Sequence, residues 1–246
     1  MKNDLAIIIP VLNCLSYSKL MIPTIKTKRP YNLILINNGS VDGTREYFNQ
    51  LKKSYNALVI HFDENKGCAA SWNYGIRQAI RIFGSEYFFI PNNDILLHPK
   101  TIDVLLEAIE APSVALTTAT DISGSVSASI DVLSQKLPVT AELVEKPEFS
   151  CFMLKGSTID KVGFFDDKFF PAYFEDNDYH YRINLAGLKA IKTNRALYFH
   201  YGSRTIKADD RIKNVSNLGY NTNREYYKEK WGGEPGKEIY TSPFDK

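Results

Sequence analysis

The feature that most constrains the fold is an alternation of short apolar runs with segments of helical periodicity. Five apolar runs occur in the first half of the chain, at residues 5–9, 33–36, 57–62, 87–90 and 114–119. Such runs predict strands, the one at 5–9 buried on both faces, and the helical segments between them predict crossover connections. Strands that alternate with helices form a helix-covered sheet. The sequence therefore predicts an α/β fold with a mixed, mostly parallel sheet flanked by helices.

The second half of the chain is less regular. No period persists between residues 120 and 148, which predicts a long loop or a strand excursion beside the functional site. Two short strands are predicted at 189–191 and 196–200, and a polar, aromatic helix at 209–231. We expect one large domain over residues 1–205 and a C-terminal helical extension over 206–246 that packs on it.

Composition and charge exclude several classes of protein. The chain carries 30 basic and 28 acidic side chains, a net charge of +2, which gives no electrostatic case for a nucleic-acid partner. The three cysteines, Cys14, Cys68 and Cys151, fit neither a disulfide framework nor a zinc site, which favours a cytoplasmic location. The apolar run at 5–12 is interrupted by Pro10 and is too short to span a bilayer, so we expect no transmembrane segment.

Polar or small residues follow each of the first four predicted strands, at residues 10–13, 37–40, 63–67 and 92–94. Because parallel strands share a direction, these turns meet at one edge of the sheet and line a crevice. Amides, backbone N–H groups and the carboxylate of Asp94 at this edge indicate a nucleotide site. No turn contains a G-x-G-x-x-G or G-x-x-x-x-G-K-[ST] motif, so neither a dinucleotide cofactor nor a P-loop triphosphate is predicted.

Asp94 and a group of three later acids each have both a functional and a structural interpretation. Asp94 is a hard oxygen ligand that suits a divalent cation, and it also suits an Asx turn or a helix cap. Three acids, Glu175, Asp176 and Asp178, lie at the start of a predicted helix, where they complement its dipole. Three acids in four positions exceed what a helix cap needs, which favours a functional role.

Six motifs follow one another along the chain. They are Ile7-Ile8-Ile9-Pro10-Val11-Leu12-Asn13, Asn37-Asn38-Gly39-Ser40-Val41-Asp42-Gly43-Thr44, Asn65-Lys66-Gly67 with Asn73-Tyr74-Gly75, Asn92-Asn93-Asp94, Phe174-Glu175-Asp176-Asn177-Asp178, and His200. In this order they resemble the family 2 glycosyltransferases of the GT-A fold, and the resemblance covers residues 5–205.

This resemblance implies that a nucleotide-diphosphate sugar lies across the first four strand ends, with UDP favoured and GDP or dTDP as alternatives. Asn92-Asn93-Asp94 stands at the family's D-x-D position, which implies that Asp94 binds Mn²⁺ or Mg²⁺. His200 matches a position that completes the metal or diphosphate site in many relatives, although a lone histidine is also common as a packed structural residue. The implied nucleotide-sugar-binding residues are Pro10, Leu12, Asn37, Asn38, Asn65, Lys66, Asn92 and Asn93.

The resemblance also implies the catalytic residues. Asp176 lies where the family keeps its catalytic base, with Glu175 beside it. A carboxylate there takes the proton from an acceptor hydroxyl that attacks the anomeric carbon with inversion, while a metal stabilises the departing diphosphate. The implied acceptor is a glycan, a lipid-linked molecule or a protein, and we expect residues 120–148 and the aromatic tail to select it.

Departures from the family pattern keep two other functions in view. Amides stand at Asn37 and Asn38 where relatives often carry acids, and the first acid of the D-x-D motif is missing. A sugar-phosphate nucleotidyltransferase is one alternative, although such enzymes usually open with a Gly-rich basic loop and this chain has Pro-Val-Leu-Asn-Cys at 10–14. A non-catalytic carbohydrate-binding domain, in which the 15 tyrosines and 14 phenylalanines would stack on sugars, is the other.

Overall fold

A computed structural model of the chain describes residues 3–202 and 210–245, with the side chains of 210–218 left out. The strands of this part are β1 (Leu5–Val11), β2 (Tyr31–Asn38), β3 (Leu58–Phe62), β4 (Tyr87–Pro91), β5 (Ile95–Leu97), β6 (Val114–Asp121), β7 (Leu143–Val144), β8 (Cys151–Lys155) and β9 (Lys189–His200). They form one nine-stranded sheet in the order β3-β2-β1-β4-β8-β6-β9-β5, with β7 paired to β9. Strands β3, β2, β1 and β4 are parallel neighbours, as are β6 and β9, whereas β8 joins the two halves by antiparallel pairing to β4 and β6.

Helices cover both faces of the sheet, which confirms the predicted fold. Because successive side chains of a strand point to opposite faces, β1 contributes Leu5, Ile7 and Ile9 to one core and Ala6 and Ile8 to the other. The first core packs against α1, α2 and α4, and the second against α3, α5 and α6. The helices are α1 (Leu15–Met21), α2 (Thr44–Tyr55), α3 (Cys68–Gln78), α4 (Thr101–Ile109), α5 (Gly156–Val162), α6 (Glu175–Leu185) and α7 (Asp210–Trp231). In the described part of the chain, none of them is long and apolar enough to cross a membrane.

The two short strands predicted at 189–191 and 196–200 form one continuous strand, β9. Its pairing with β6 slips where Thr118 opposes Lys192 and Thr120 opposes Leu197, so the polar residues 193–195 form an irregularity inside the strand. A polar interruption therefore marks a bulge here and not a gap between strands.

Helical spacing in the sequence predicts an inner face of Ala69, Trp72, Ile76, Ile80 and Phe83 for α3. The first three are buried and Phe83 packs partly buried against the core, but the prediction is wrong for Ile80, which is 42% exposed. The helix continues into a π-helical turn at Ala79–Phe83. A π turn adds a residue to the helical repeat, so the spacing of an α-helix does not hold across residues 79–83.

The segment between β6 and β8 is mostly irregular, as predicted. It contains a short 3₁₀ helix, Ser129–Ser134, and the two-residue strand β7. Val132 of the 3₁₀ helix is fully buried against Leu96 and Leu197, which pins the segment onto β5 and β9.

The C-terminal helix α7 is tied to α6 through a buried ion-pair cluster. Lys230 is 5% exposed, and its Nζ lies 2.6 Å from Asp166 Oδ2 and 2.6 Å from Asp178 Oδ1. Trp231 Nε1 also donates to Asp178 Oδ1, at 2.9 Å. The helix predicted at 209–231 is present over Asp210–Trp231, and position 209 lies outside the described residues.

Candidate active site

A cleft of about 300 Å³ lies at the carboxyl ends of the parallel strands β1, β2 and β4. Ligands bind at this edge of an open α/β sheet because the loops that follow the strands diverge there. The lining residues are Pro10, Val11, Leu12, Asn38, Asn65, Cys68, Trp72, Asn92, Asn93, Asp94, Phe149, Ser150, Pro171, Ala172, Tyr173, Glu175, Asp176 and His200.

The turns after β1 and β2 are bonded to each other. The backbone N–H of Asn13 donates to Ser40 Oγ at 2.8 Å, and Val41 N–H donates to Asn13 Oδ1 at 2.9 Å. Asp42 Oδ2 accepts from the backbone N–H of Leu15 at 2.8 Å, at the start of α1. These bonds fix the end of β1 and the turn after it, where Pro10 and Leu12 line the cleft.

Asn38 and Asn65 form a second brace at the floor of the cleft. Asn38 Nδ2 donates to Asn65 Oδ1 at 3.0 Å and to Gly67 O at 3.4 Å, and Asn38 Oδ1 accepts from Lys66 N–H at 2.8 Å. Asn65 Oδ1 also accepts from Gly67 N–H, at 2.9 Å, so both of its lone pairs are used. The Nδ2 group of Asn65 is the part of this brace left to donate to a ligand.

Asp94 lies beside His200 because of β5, a three-residue strand that the sequence pattern did not reveal. β5 pairs with β9 so that Ile95 opposes His200, and Tyr201 N–H donates to Asp94 O at 3.0 Å. The distance between His200 Nε2 and Asp94 Oδ1 is 3.2 Å. Asp94 is 4% exposed, and its carboxylate lies in the wall of the cleft.

The two asparagines before Asp94 differ in their surroundings. Asn93 is buried, and its Nδ2 donates to Ser18 Oγ at 3.1 Å and to Asn13 O at 3.3 Å, which links it to α1 and to the turn after β1. Asn92 is partly exposed in the cleft, and its backbone N–H donates to Ser150 O at 2.8 Å.

The carboxylates of Glu175 and Asp176 enter the cleft at the start of α6. The loop before them has positive φ at two consecutive residues, Tyr173 (79°) and Phe174 (73°), a conformation that costs energy and needs support. That support comes from α7, where Asn223 Nδ2 donates to Ala172 O at 2.9 Å and to Tyr173 O at 3.1 Å. The loop is also bonded to α3, because Cys68 N–H donates to Pro171 O at 2.9 Å.

The glycine before α3 permits this contact between the loop and the helix. Gly67 has φ +85°, and a Cβ on it would lie 3.1 Å from Pro171 O and 3.1 Å from the Phe170 ring. A larger residue at this position would therefore push the loop away from the cleft.

The model of the family described as "Glycosyl transferase family 2" matches residues 6–177, which is more than half of the chain. The chain belongs to glycosyl transferase family 2. Family membership favours a glycosyltransferase over the nucleotidyltransferase and binding-domain alternatives.

Curated relatives of this family 2 chain include two glycosyltransferases. A galactofuranosyl glycosyltransferase of Leishmania donovani is 23% identical over 229 residues, covering 74% of this chain and 53% of the relative. An N-acetylglucosaminyl-diphospho-decaprenol L-rhamnosyltransferase of Mycobacterium tuberculosis is 24% identical over 222 residues, covering 76% of this chain and 71% of the relative. The chain thus spans about half the length of the first relative and more of the second.

Solved structures with a similar fold are glycosyltransferases as well. The mannosyltransferase PcManGT from Pyrobaculum calidifontis, in complex with GDP-Man and Mn²⁺, superposes with a TM-score of 0.63 at 14% identity, covering 91% of this chain and 64% of that one. GalNAc-T7 with UDP, GalNAc and Mn²⁺ has a TM-score of 0.65 at 14% identity, covering 93% and 50%. These similarities confirm the GT-A fold expected for the family 2 chain.

Burial raises the pKa values of the two carboxyls that α6 brings to the cleft of the family 2 chain, those of Glu175 and Asp176. Desolvation, and then the negative charge of Asp176, holds the pKa of Glu175 well above its usual range. Glu175 Oε2 has no hydrogen-bond partner among the described residues. Burial also raises the pKa of Asp176, although Asn177 N–H donates to Asp176 Oδ1 at 2.8 Å and opposes the shift. Two neighbouring acids with raised pKa values are typical of a functional site.

Asp178, the third acid of this group, has a structural role. It is fully buried and, besides its contacts with Lys230 and Trp231, accepts from Arg182 Nε at 2.9 Å. Positions 176 and 178 of a helix point to nearly opposite sides, which is why one acid lines the cleft and the other lies beneath it.

The structure brings together ten of the twelve residues assigned to the site from the sequence. Two lie outside the cleft lining. Asn37 is fully buried and its Oδ1 accepts from Ser40 N–H at 2.8 Å, and Lys66 Nζ pairs with Glu64 Oε1 at 2.5 Å on the surface. The ten residues that line the cleft are Pro10, Leu12, Asn38, Asn65, Asn92, Asn93, Asp94, Glu175, Asp176 and His200.

Sequence reasoning missed the apolar wall of the cleft. Trp72 was assigned to the helix core, and Phe149, Pro171 and Tyr173 carried no recognisable motif. The cluster of aromatic residues before Glu175 was the available signal for Tyr173, because it directly precedes the acids that the pattern did identify.

Proposed function

We propose that this chain transfers a sugar from a nucleotide-diphosphate sugar to an acceptor hydroxyl with inversion, and that Asp176 is the general base. The observation that carries the proposal is the meeting, in one cleft, of the Asp94–His200 pair with a carboxylate of raised pKa at the start of α6. The first pair suits a metal-bound diphosphate, and the carboxylate suits proton transfer.

The donor would lie across the ends of β1, β2 and β4. Asn65 Nδ2 is a donor available to a base or a ribose, Asn92 borders the same cavity, and Pro10 and Leu12 provide an apolar edge. Relatives in the same fold bind either GDP-Man or UDP, as their structures are described, so both nucleotides are candidates. UDP is favoured, and dTDP is a further candidate.

The residues around Asp94 fit a divalent cation. Within the described residues, no group of three His, Cys, Asp or Glu side chains could hold a metal ion. Mg²⁺ and Mn²⁺ are commonly bound by one or two protein carboxylates together with substrate phosphates. Asp94 and His200, 3.2 Å apart, would supply the protein ligands and the donor diphosphate the others. A bound cation would stabilise the negative charge of the leaving diphosphate.

The acid–base chemistry would fall to α6. Asp176 Oδ1 is held by the N–H of Asn177, which leaves Oδ2 to take the acceptor proton. Burial raises the proton affinity of this carboxylate and makes it a stronger base once it is ionised. Burial and the charge of Asp176 raise the pKa of Glu175, so this neighbour would hold its proton over a wider pH range than an exposed glutamate.

Three broader predictions accompany this function. The acceptor is a glycan, a lipid-linked molecule or a protein, and the location is cytoplasmic. The third is an extension over 206–246 that packs on a domain at 1–205; the contacts of Lys230, Trp231 and Asn223 support this packing, and the boundary itself lies outside the described residues.

The donor assignment is tested by thermal unfolding with UDP-, GDP- and dTDP-sugars, each with and without Mn²⁺. A ligand at 100 times its dissociation constant stabilises a protein by about 2.7 kcal/mol, so the correct donor should raise the melting temperature, and only with the metal. Asp94→Asn should lose this effect, and Asp160→Asn, which changes an exposed acid on α5, should keep it. Equal stabilisation of the wild type with and without Mn²⁺ contradicts the metal assignment.

The identity of the products separates the two enzyme classes. A glycosyltransferase releases a nucleoside diphosphate, whereas a nucleotidyltransferase consumes a nucleoside triphosphate and releases pyrophosphate. Formation of a nucleotide sugar from a triphosphate would overturn the proposed function.

A further inference from the structure

A second cleft adjoins the first. It has a volume of about 490 Å³ and lies between the start of α6, the middle of α7 and the turn that follows α7. Tyr173 and Asp176 line both clefts. The other lining residues are Phe174, Asn177, Tyr220, Arg224, Glu234, Pro235 and Lys237. A molecule in the second cleft would therefore contact Asp176, which also lines the first cleft.

An aromatic ring is held at the mouth of this cleft. Tyr220 is 45% exposed, and its ring stands 5.4 Å from that of Tyr173 at 76° and 5.2 Å from that of Phe174 at 55°. These contacts fix the ring while part of its surface remains open to solvent. A rigid aromatic surface offers contact area at a low cost in conformational entropy.

Polar side chains complete the cleft, and their charges balance. Arg224 forms a two-point ion pair with Glu234, with N–O distances of 2.7 and 3.1 Å, which braces α7 against the turn after it. The formal charges of the lining are two negative, Asp176 and Glu234, and two positive, Arg224 and Lys237. A balanced lining gives no electrostatic preference for a polyanionic ligand.

We propose that this second cleft binds an uncharged saccharide as the acceptor, with its pyranose ring against Tyr220 and one hydroxyl directed to Asp176. The inference rests on the proposed function and names its acceptor class. A sugar ring has an apolar C–H face that packs on an aromatic ring and hydroxyls that bond to planar amide and ionic side chains, and this cleft offers both. Pro235 and the aromatic rings are the apolar groups among its described lining residues, which is little surface for a lipid chain.

The test uses the full chain with UDP and Mn²⁺ bound and a panel of methyl glycosides as probes: methyl α-mannoside, β-galactoside, β-N-acetylglucosaminide and α-L-rhamnoside. Saturation-transfer NMR should detect contact with at least one glycoside. Tyr220→Ala should weaken its affinity about 5-fold or more, the loss expected for an aromatic contact. Tyr55→Ala, which removes a comparably exposed tyrosine (42%) from α2, should leave the affinity unchanged.

Two further variants protect the test against misfolding. Tyr220→Phe keeps the ring and should keep most of the affinity. Tyr220→Leu keeps apolar packing against Tyr173 and Phe174 but lacks the ring, and should behave like Tyr220→Ala.

Absence of contact with every glycoside, or equal affinity in Tyr220→Leu and the wild type, overturns the inference. If the protein binds and hydrolyses a nucleotide-sugar donor but binds none of the glycosides, the proposed function remains supported and only the saccharide acceptor is ruled out. Failure to bind any nucleotide sugar removes the proposed function itself.

Discussion

At the scale of single residues, neighbours in sequence have different roles because their side chains point in different directions. Asn37 and Asn38 end the same strand, and the twofold repeat of a strand turns Asn37 toward α2 and β3 and Asn38 toward the cleft. The composition of the strand ends predicted that polar residues line the cleft. The alternation of side chains along a strand predicts that these two asparagines face opposite sides of the sheet. The hydrogen bonds of the Asn38 amide were not predictable in this way, because their partners lie in residues 65–67.

Glu175 makes stability depend on pH. Its pKa is raised in the folded state, so as pH rises above the unfolded pKa of about 4.3 the unfolded chain releases this proton while the folded chain keeps it. The stabilisation is therefore complete below that pH and is lost as pH rises through the folded pKa. We predict that Glu175→Gln matches the wild type in urea unfolding at pH 4 and exceeds its stability at pH 8.

The control for this measurement is Glu107→Gln, which changes an exposed glutamate of α4. It should follow the wild type at both pH values. A stability difference between Glu175→Gln and the wild type that stays constant from pH 4 to pH 8 would show that Glu175 is not buried as an acid.

At the scale of elements, the sequence predicted the strands and helices whose signals are local. The apolar runs of β1, β2, β3, β4 and β6 and the helical spacing of α2 and α3 are such signals. β5 was not predictable in this way, because three residues carry too little periodicity and the strand exists through its pairing with β9, about a hundred residues later. The contact between Asp94 and His200 depends on that pairing, so the sequence indicated both residues but not their geometry.

The attachment of α7 to the rest of the fold can be tested by substituting Lys230. Lys230→Met removes the cation between Asp166 and Asp178, and breaking a buried ion pair by removing one partner costs about 3–5 kcal/mol. Asp178 keeps its bonds to Arg182 and Trp231, so we predict a loss in the free energy of unfolding of about 3 kcal/mol, measured by urea denaturation.

Lys228→Met is the matched control on the same helix. Lys228 pairs with Glu225 at 3.0 Å on the surface, and an exposed pair of this kind contributes about 0.5 kcal/mol or less. Equal destabilisation by the two substitutions would mean that the buried cluster does not hold α7 in place.

At the scale of the whole molecule, the sheet and the C-terminal helix α7 both position parts of the cleft. The strand ends supply the donor edge of the cleft, and α7 holds the loop that leads into Glu175 and Asp176 at the start of α6. The order of motifs predicted the α/β fold and the edge of the sheet where the cleft lies. It did not predict that a helix near the end of the chain supports the candidate base, since that contact joins segments about fifty residues apart through two backbone carbonyls that leave no sequence signal.

The most direct test of the account is to measure sugar transfer and donor affinity together in Asp176→Asn. The amide keeps the shape of the carboxylate and still accepts the bond from Asn177, but it cannot take the acceptor proton. We predict that turnover falls by roughly 10²–10⁴-fold while the donor dissociation constant stays the same, and that wild-type product has the inverted anomeric configuration. Turnover within a few-fold of wild type, or a product with the donor's configuration retained, would contradict the account.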